Sequence, residues 1–247
     1  FRAEAEAARS ERDRAAKIRH ARQLYLSGTT ITGTPAAAYL EARGIAPVAG
    51  PKPWPGSLRF RAECPYKPLQ IEAPAMLAGV FTAEGEQIGC HRTFLAQHDG
   101  RWGKIGAHPA KMMLGAKAGG FIPIAKGSSG KSMAEMPEGE PVYVTEGIED
   151  ALCVRMLKPE ARVVAAIDLG NLAALILPER ARQLVIVADR DAGEKQQAAL
   201  ERAIAAQQAR GLAVGLVVPP AEVHGRAVKD INDWVVAALA GAGRRRA

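Results

Sequence analysis

Short apolar runs alternate with helical patterns over the second half of the chain. The runs are rich in Val and Ile, as buried parallel strands are, and they occupy 141–145, 162–167, 184–188 and 212–218. Segments with helical periodicity follow them at 148–157, 171–177, 192–210 and 232–239. This alternation predicts an α/β fold, in which a parallel sheet is covered by flanking helices.

The first half of the chain has a different pattern. An Ala-, Arg- and Glu-rich stretch predicts one N-terminal helix, and strand signals separated by turn residues follow at 58–61, 75–81, 87–95 and 120–124. Gly, Ser and Pro are frequent over 126–140, which is the best candidate for a boundary. We therefore predict a helix at 1–27, a smaller α+β subdomain at 28–140, an α/β domain at 141–235 and a basic tail at 236–247.

Composition narrows the class of protein. The chain has 247 residues and is 48% hydrophobic, enough for a packed core. No apolar stretch reaches the roughly 20 residues of a membrane span, and no secretory signal pattern opens the chain, so a cytoplasmic protein without a membrane partner is expected. A net charge of +7 is compatible with a polyanionic partner such as a nucleic acid. The three cysteines form no CxxC pair and are expected to be reduced thiols.

Acidic residues come in groups near the ends of the predicted strands and before the last helix. The groups are Glu146 with Glu149 and Asp150, Asp189 with Asp191, and Asp230 with Asp233. Side chains at the carboxyl ends of parallel strands converge on one crevice. Clustered carboxylates repel one another unless a cation lies between them, and their hard oxygens suit Mg²⁺ or Mn²⁺. The pattern indicates a phosphoryl-transfer metal site, although the third group can equally cap a helix.

Three motifs resemble the Toprim domain shared by bacterial-type primases, topoisomerases and some nucleases. They are Glu146-Gly-Ile-Glu-Asp-Ala-Leu152, Asp189-Arg-Asp-Ala-Gly193 and Lys229-Asp-Ile-Asn-Asp233. The resemblance spans about 141–235 and implies that Glu146, Asp189 and Asp191 bind catalytic Mg²⁺. It also relates Asp150 to the acid that closes the first motif, and Asp230 and Asp233 to a third acidic region.

The segment before these motifs is similar to the region that precedes Toprim in plasmid- and phage-borne primase proteins. This implies a primase core that makes short RNA primers from ribonucleoside triphosphates on a single-stranded DNA template, for plasmid or phage replication. A replicative helicase, fused or recruited, is an expected partner. Two metal ions would stabilise the transferring phosphoryl group. Basic residues predicted to contact template or nucleotide are Arg92, Lys104, Lys111, Arg190 and Lys229.

Two other functions fit the same residues. A Toprim-type nuclease would use Glu146 as acid or base, and a non-catalytic module of a replication protein would only bind nucleic acid. Incorporation of nucleotides separates the primase from both. The sequence AKGSSGKS at 125–132 also fits a relaxed P-loop pattern, but the Pro and Gly residues over 133–141 oppose the helix that a P-loop requires. A flexible linker is the better interpretation of this segment.

Overall fold

The structure of the chain, a computed structural model, describes residues 2–190 and 193–244. Asp191 and positions 245–247 of the predicted basic tail lie outside the described residues. The first part of the chain forms α1 (Arg2–Leu26), β1 (Thr29–Thr30), α2 (Pro35–Ala42), β2 (Leu58–Tyr66), a 3-10 helix (Lys67–Leu69), β3 (Ile71–Phe81), β4 (Gln87–His98), β5 (Arg101–Lys104) and β6 (Lys111–Gly115).

These strands form an antiparallel sheet in the order β1-β2-β3-β4-β5, with β6 also paired to β4. Helix α1 packs its last turns on one face, where Leu24 and Tyr25 join a buried cluster with Phe94. The other face contacts α2 and the second half of the chain through Met76 and Ala78. The sequence pattern did not predict β5 or β6, because both are short and lack a clear apolar alternation.

The second part forms β7 (Ile122–Lys126), β8 (Val142–Thr145), α3 (Ile148–Leu157), β9 (Arg162–Ala165), α4 (Leu169–Ala174), β10 (Gln183–Val187), α5 (Glu194–Ala209), β11 (Ala213–Val217), β12 (Glu222–Val223), β13 (Arg226–Ala227) and α6 (Ile231–Arg244). Its main sheet has the order β11-β10-β8-β9-β7. Strands β8 to β11 are parallel, which confirms the predicted α/β class.

Strand β7 corrects the predicted organisation of the sheets. We expected this strand, at 120–124, to belong to the amino-terminal subdomain, but it pairs antiparallel with β9 at the edge of the second sheet. The sheet is therefore mixed. The apolar alternation of Ile122 and Ile124 predicts a strand, but it carries no information on which sheet provides the partner.

The two sheets are directly connected. Phe81 at the end of β3 and Phe121 before β7 exchange two backbone hydrogen bonds, with N···O distances of 2.8 and 3.0 Å. One buried cluster also contains Met76 from the first sheet together with Ile148 and Val163 from the second part. The two subdomains therefore share a continuous hydrophobic core.

The segment at 127–140 is anchored to the second sheet, which corrects the prediction of a flexible linker at 125–132. Met136 is fully buried against the second sheet. The guanidinium of Arg162, itself 2% exposed, donates to Glu140 Oε2 at 2.9 Å, to the Lys131 carbonyl and to Ser129 Oγ. As predicted, no helix follows the Gly-rich sequence within this described stretch.

Two further findings concern the cysteines and the character of the helices. All three cysteines are buried free thiols. Within the part of the chain that the structure describes, no helix has the length and apolar character needed to cross a membrane.

Candidate active site

Glu146 and Asp189 flank one cleft at the carboxyl edge of the parallel sheet. Glu146 directly follows β8, and Asp189 lies two positions after the neighbouring strand β10. The cleft has a volume of about 130 Å³ and is otherwise lined mainly by apolar residues such as Leu172 and Ile186. Adjacent parallel strands thus bring together two carboxylates that are 43 positions apart in sequence (189 − 146).

The charge of these carboxylates is only weakly compensated, since Lys111 alone among the described lysines and arginines opposes the rise in the pKa of Glu146. Partial burial and the neighbouring Asp189 and Asp168 raise the pKa of Glu146. Partial burial with Asp230 and Asp233 raises the pKa of Asp189. Within the described residues, no Lys or Arg forms an ion pair with Glu146 or Asp189. A cation would relieve this repulsion.

Asp150 extends the acidic region toward α6. It lies in the first turn of α3, and burial together with Asp230 and Asp189 raises its pKa to about 7. Among residues 2–190 and 193–244, no three His, Cys, Asp or Glu side chains are close enough to hold a metal ion. Asp191, the predicted companion of Asp189, is outside the described residues.

The third acidic group caps α6. Asp230 Oδ1 accepts a 2.7 Å hydrogen bond from the backbone N–H of Asp233, and Asp233 Oδ2 accepts one of 3.2 Å from the backbone N–H of Lys229. These bonds satisfy donors at the start of the helix, the capping role that the sequence left open. Asp230 also influences the pKa of Asp150 and Asp189, so it lies near both.

Sequence reasoning missed Asp168 at the same edge of the sheet. It follows the apolar run of β9 just as Glu146 follows β8, and this position was the available signal. Asp168 pairs with Lys117 and caps α4 by accepting from the N–H of Asn171 at 2.9 Å. The preceding residue, Ile167, has φ of 80°. A β-branched residue in this region is strained, and such strain is concentrated at functional sites.

Glu149 is the second residue whose role the sequence did not indicate. Although it lies in the first turn of α3, it is only 4% exposed. Tyr39 Oη donates to its Oε1 at 2.7 Å, and Lys104 Nζ lies 3.2 Å from the same oxygen. Lys111 Nζ lies 3.3 Å from Oε2. The carboxylate therefore joins α3 to α2, β5 and β6 of the other subdomain.

Lys104 and Lys111 are the predicted basic residues that the structure brings to this region. The strand register places Leu95 opposite Lys104 and Thr93 opposite Lys111, so both lysines share one face of the first sheet. That face looks toward the second subdomain. Lys111 is also close enough to Glu146 to oppose the rise in its pKa.

The other predicted basic residues have different surroundings. Arg92 lies on the opposite face, 7% exposed, where its guanidinium is 5.6 Å from the Phe94 ring centroid and donates to the Met113 carbonyl. Strand alternation explains this placement, since neighbours of Thr93 point away from it. Arg190 holds the Pro219 carbonyl through Nε at 2.8 Å. Among the described residues, neither guanidinium forms an ion pair with an acid.

Comparison with known families identifies the domain that bears these acids. The Toprim domain family matches residues 141–241, so this chain carries a Toprim domain, and the resemblance seen in the sequence is confirmed. A family described as Domain of unknown function (DUF7146) matches residues 15–124. No curated protein matches the chain.

Solved primase structures share its fold. The DnaG catalytic core has a TM-score of 0.52 at 14% identity, covering 88% of this chain and 74% of that one. The structure of the DnaG primase catalytic domain bound to ssDNA has a TM-score of 0.52 at 13% sequence identity, and the match covers 96% of this chain and 81% of that one. The zinc-binding and RNA polymerase domains of the Aquifex aeolicus primase match with a TM-score of 0.51 at 14% sequence identity. This match covers 94% of this chain and 60% of that one. At these identities the similarity shows a common fold.

Proposed function

We propose that this chain is the catalytic core of a DNA primase, which joins ribonucleotides into short RNA primers on single-stranded DNA. One observation carries the proposal: Glu146 and Asp189 flank a single cleft of the Toprim sheet while Lys111 approaches from the other subdomain. Carboxylates that bind metal and an ammonium that binds phosphate are the groups that phosphoryl transfer requires. The primase-type fold supports the same reaction class.

The donor set fits Mg²⁺ or Mn²⁺, because it consists of carboxylate oxygens, and Glu146 and Asp189 form no ion pair among the described residues. We propose Glu146, Asp189 and Asp191 as principal ligands, with Asp150, Asp230 and Asp233 around them. When bound, such ions stabilise charge on the attacking and leaving oxygens of phosphoryl transfer.

The protein's own groups would hold the reactants. We propose that Lys111, with Lys104 nearby, binds phosphate groups beside the acids and that the exposed Lys229 contacts the template. The net charge of +7 favours association with a polyanion. The proposal includes a single-stranded DNA template, ribonucleoside triphosphates, a replicative helicase as partner, replication of a plasmid or phage, and a cytoplasmic location.

Incorporation of labelled ribonucleotides on mixed-sequence single-stranded DNA tests the proposal. The assay is run with Mg²⁺ or Mn²⁺ on the wild type and on Asp189→Ala and Asp191→Ala. We expect short RNA products from the wild type and none from either variant. A folded wild type that makes no RNA would contradict the proposal, and shortening of the DNA instead would identify the nuclease.

A further inference from the structure

The hydrogen bonds of Glu149 divide its carboxylate into two halves with different partners. Oε1 contacts Tyr39 Oη at 2.7 Å and Lys104 Nζ at 3.2 Å. Oε2 contacts Lys111 Nζ at 3.3 Å. Two donors therefore fix one oxygen, and the other oxygen is directed at Lys111. Glu149 itself lies outside the proposed set of metal ligands.

Because the Glu149 carboxylate is buried, it strongly favours the positions of the groups that contact it. A buried charge without partners is costly, and here the partners are two ammonium groups and a phenol. Although burial alone would raise the pKa of Glu149, Lys111, Lys104 and the Tyr39 hydrogen bond hold it well below its usual range. Three donors from the amino-terminal subdomain thus converge on this one buried carboxylate.

Lys111 connects this buried group to the acidic cleft. Its side chain is 39% exposed, whereas that of Glu149 is 5% exposed, so the ammonium lies at the boundary between interior and solvent. An ammonium has three donors, and Glu149 accepts one of them. Lys111 also acts on Glu146 electrostatically. This ammonium makes no other hydrogen bond among the described residues, so its remaining donors are available beside the proposed metal ligands.

The sheet face around Lys111 has further unused polar capacity. Thr93 pairs with Lys111 in the strand register, and His91 pairs with Met113 on the same face. Thr93 Oγ1 and His91 Nδ1 are buried and have no hydrogen-bond partner among the described residues. Buried polar atoms are normally satisfied, so orphaned ones next to Lys111 are consistent with a site that acquires a polar ligand or water.

We propose that Glu149 is a positioning residue, which fixes the Lys111 ammonium where it meets a phosphate group of the incoming ribonucleoside triphosphate. Tyr39 and Lys104 contribute indirectly, because they fix Glu149 through contacts to its Oε1. The identity of the ligand rests on the proposed primase function, whereas the positioning of Lys111 by Glu149 does not.

A double-mutant cycle tests this relation, with Glu149→Gln, Lys111→Gln and the combined variant. Two readouts are used: KM and kcat for ribonucleotide incorporation, and the affinity for ATP measured by calorimetry in Mg²⁺. Glu149→Gln keeps the shape of the side chain but removes its charge. We expect it to weaken ATP binding and raise KM by about tenfold, with a smaller change in kcat. In the Lys111→Gln background, the same change should add almost nothing.

Two further variants keep the test decisive. Glu160→Gln is the matched control, because Glu160 lies just beyond α3 in an exposed pair with Lys158, and ATP affinity should not change. Tyr39→Phe removes only one hydrogen bond to Glu149, so it replaces Glu149→Gln in the test if that variant does not fold. It should weaken ATP binding about threefold, again only when Lys111 is present.

The outcomes separate the inference from the proposed function. Unchanged ATP affinity in a folded Glu149→Gln variant would overturn the positioning role. An equal loss of affinity with and without Lys111 would overturn it as well. A wild type that makes no RNA, but shows the expected cycle in ATP binding, would support the positioning role and reject the primase function alone.

Discussion

Tyr39 donates a 2.7 Å hydrogen bond to the buried carboxylate of Glu149, although the two residues are 110 positions apart. Tyr39 belongs to α2 of the amino-terminal subdomain, and Glu149 belongs to α3 of the Toprim domain. Burial, with the neighbouring Glu149 charge, raises the pKa of Tyr39 far above its usual value, so the phenol remains a donor. Together with the shared core, this bond joins the two subdomains.

Tyr39→Phe should lower the free energy of unfolding by about 2 kcal/mol, because Glu149 loses a hydrogen bond to a charged, buried oxygen. Urea unfolding measures the change. Tyr143→Phe is the control, since Tyr143 is only partly buried and its hydroxyl has no hydrogen bond among the described contacts, so a change below about 0.5 kcal/mol is expected. Equal effects of the two variants would argue against a stabilising contact at Tyr39.

Arg162→Leu should destabilise the protein by about 3 kcal/mol, because it leaves the largely buried Glu140 without its partner and releases the 127–140 segment. Arg182→Leu breaks a second Arg–Glu pair to the same segment, but both of its side chains are more than half exposed. Exposed pairs contribute about 1 kcal/mol at most. Chemical unfolding of both variants distinguishes them, and a smaller loss for Arg162→Leu would contradict the anchored conformation.

Acid should weaken the fold partly through His91. Burial, followed by the nearby Lys111, lowers the pKa of His91 to about 4, whereas the unfolded residue titrates near its ordinary 6.5. Between these values the unfolded state binds more protons, so the stability conferred by neutral His91 is full above about pH 6.5 and is lost as the pH falls toward 4.

The His91→Gln variant isolates this contribution. Between about pH 7 and pH 4.5, the wild type should lose roughly 2 kcal/mol more unfolding free energy than the variant. His20→Gln, at an exposed position of α1, should behave like the wild type. If wild type and His91→Gln have parallel pH profiles, the buried neutral histidine is not a source of acid sensitivity.

Two variants of Asp230 distinguish its helix-capping role from a contribution of its charge to the metal site. Asn caps helices as well as Asp does, so Asp230→Asn should keep the stability of the wild type, whereas Asp230→Ala should lose about 1 kcal/mol. If Asp230 also contributes charge to the metal site, both variants will incorporate ribonucleotides more slowly. Thermal unfolding and incorporation assays are run on the same preparations. Full activity of Asp230→Asn would leave Asp230 with the capping role alone.

The acids of the cleft could be predicted because their positions are encoded locally. Glu146 and Asp189 each follow an apolar run, and parallel strands place such residues at one edge. The same rule would have found Asp168 after β9. Asp168 was not predicted, because no second acid lies near it in sequence to form a motif.

Long-range pairing could not be predicted in this way. Nothing near Glu149 in sequence indicates that Lys111, 38 positions earlier, would be its partner. Its acidic side chain in the first turn of a helix is typical of solvent exposure. The sheet membership of Ile122 to Lys126 was missed for the same reason, since a strand pattern does not specify its neighbour.

The most direct test of the account is RNA synthesis by Glu146→Gln beside its matched control Glu160→Gln. Both substitutions remove one carboxylate from the Toprim domain, but only Glu146 borders the cleft with Asp189. The account predicts short RNA products from the wild type and from Glu160→Gln, and at least about a hundredfold loss in a fully folded Glu146→Gln. RNA synthesis by Glu146→Gln at the wild-type rate would contradict it.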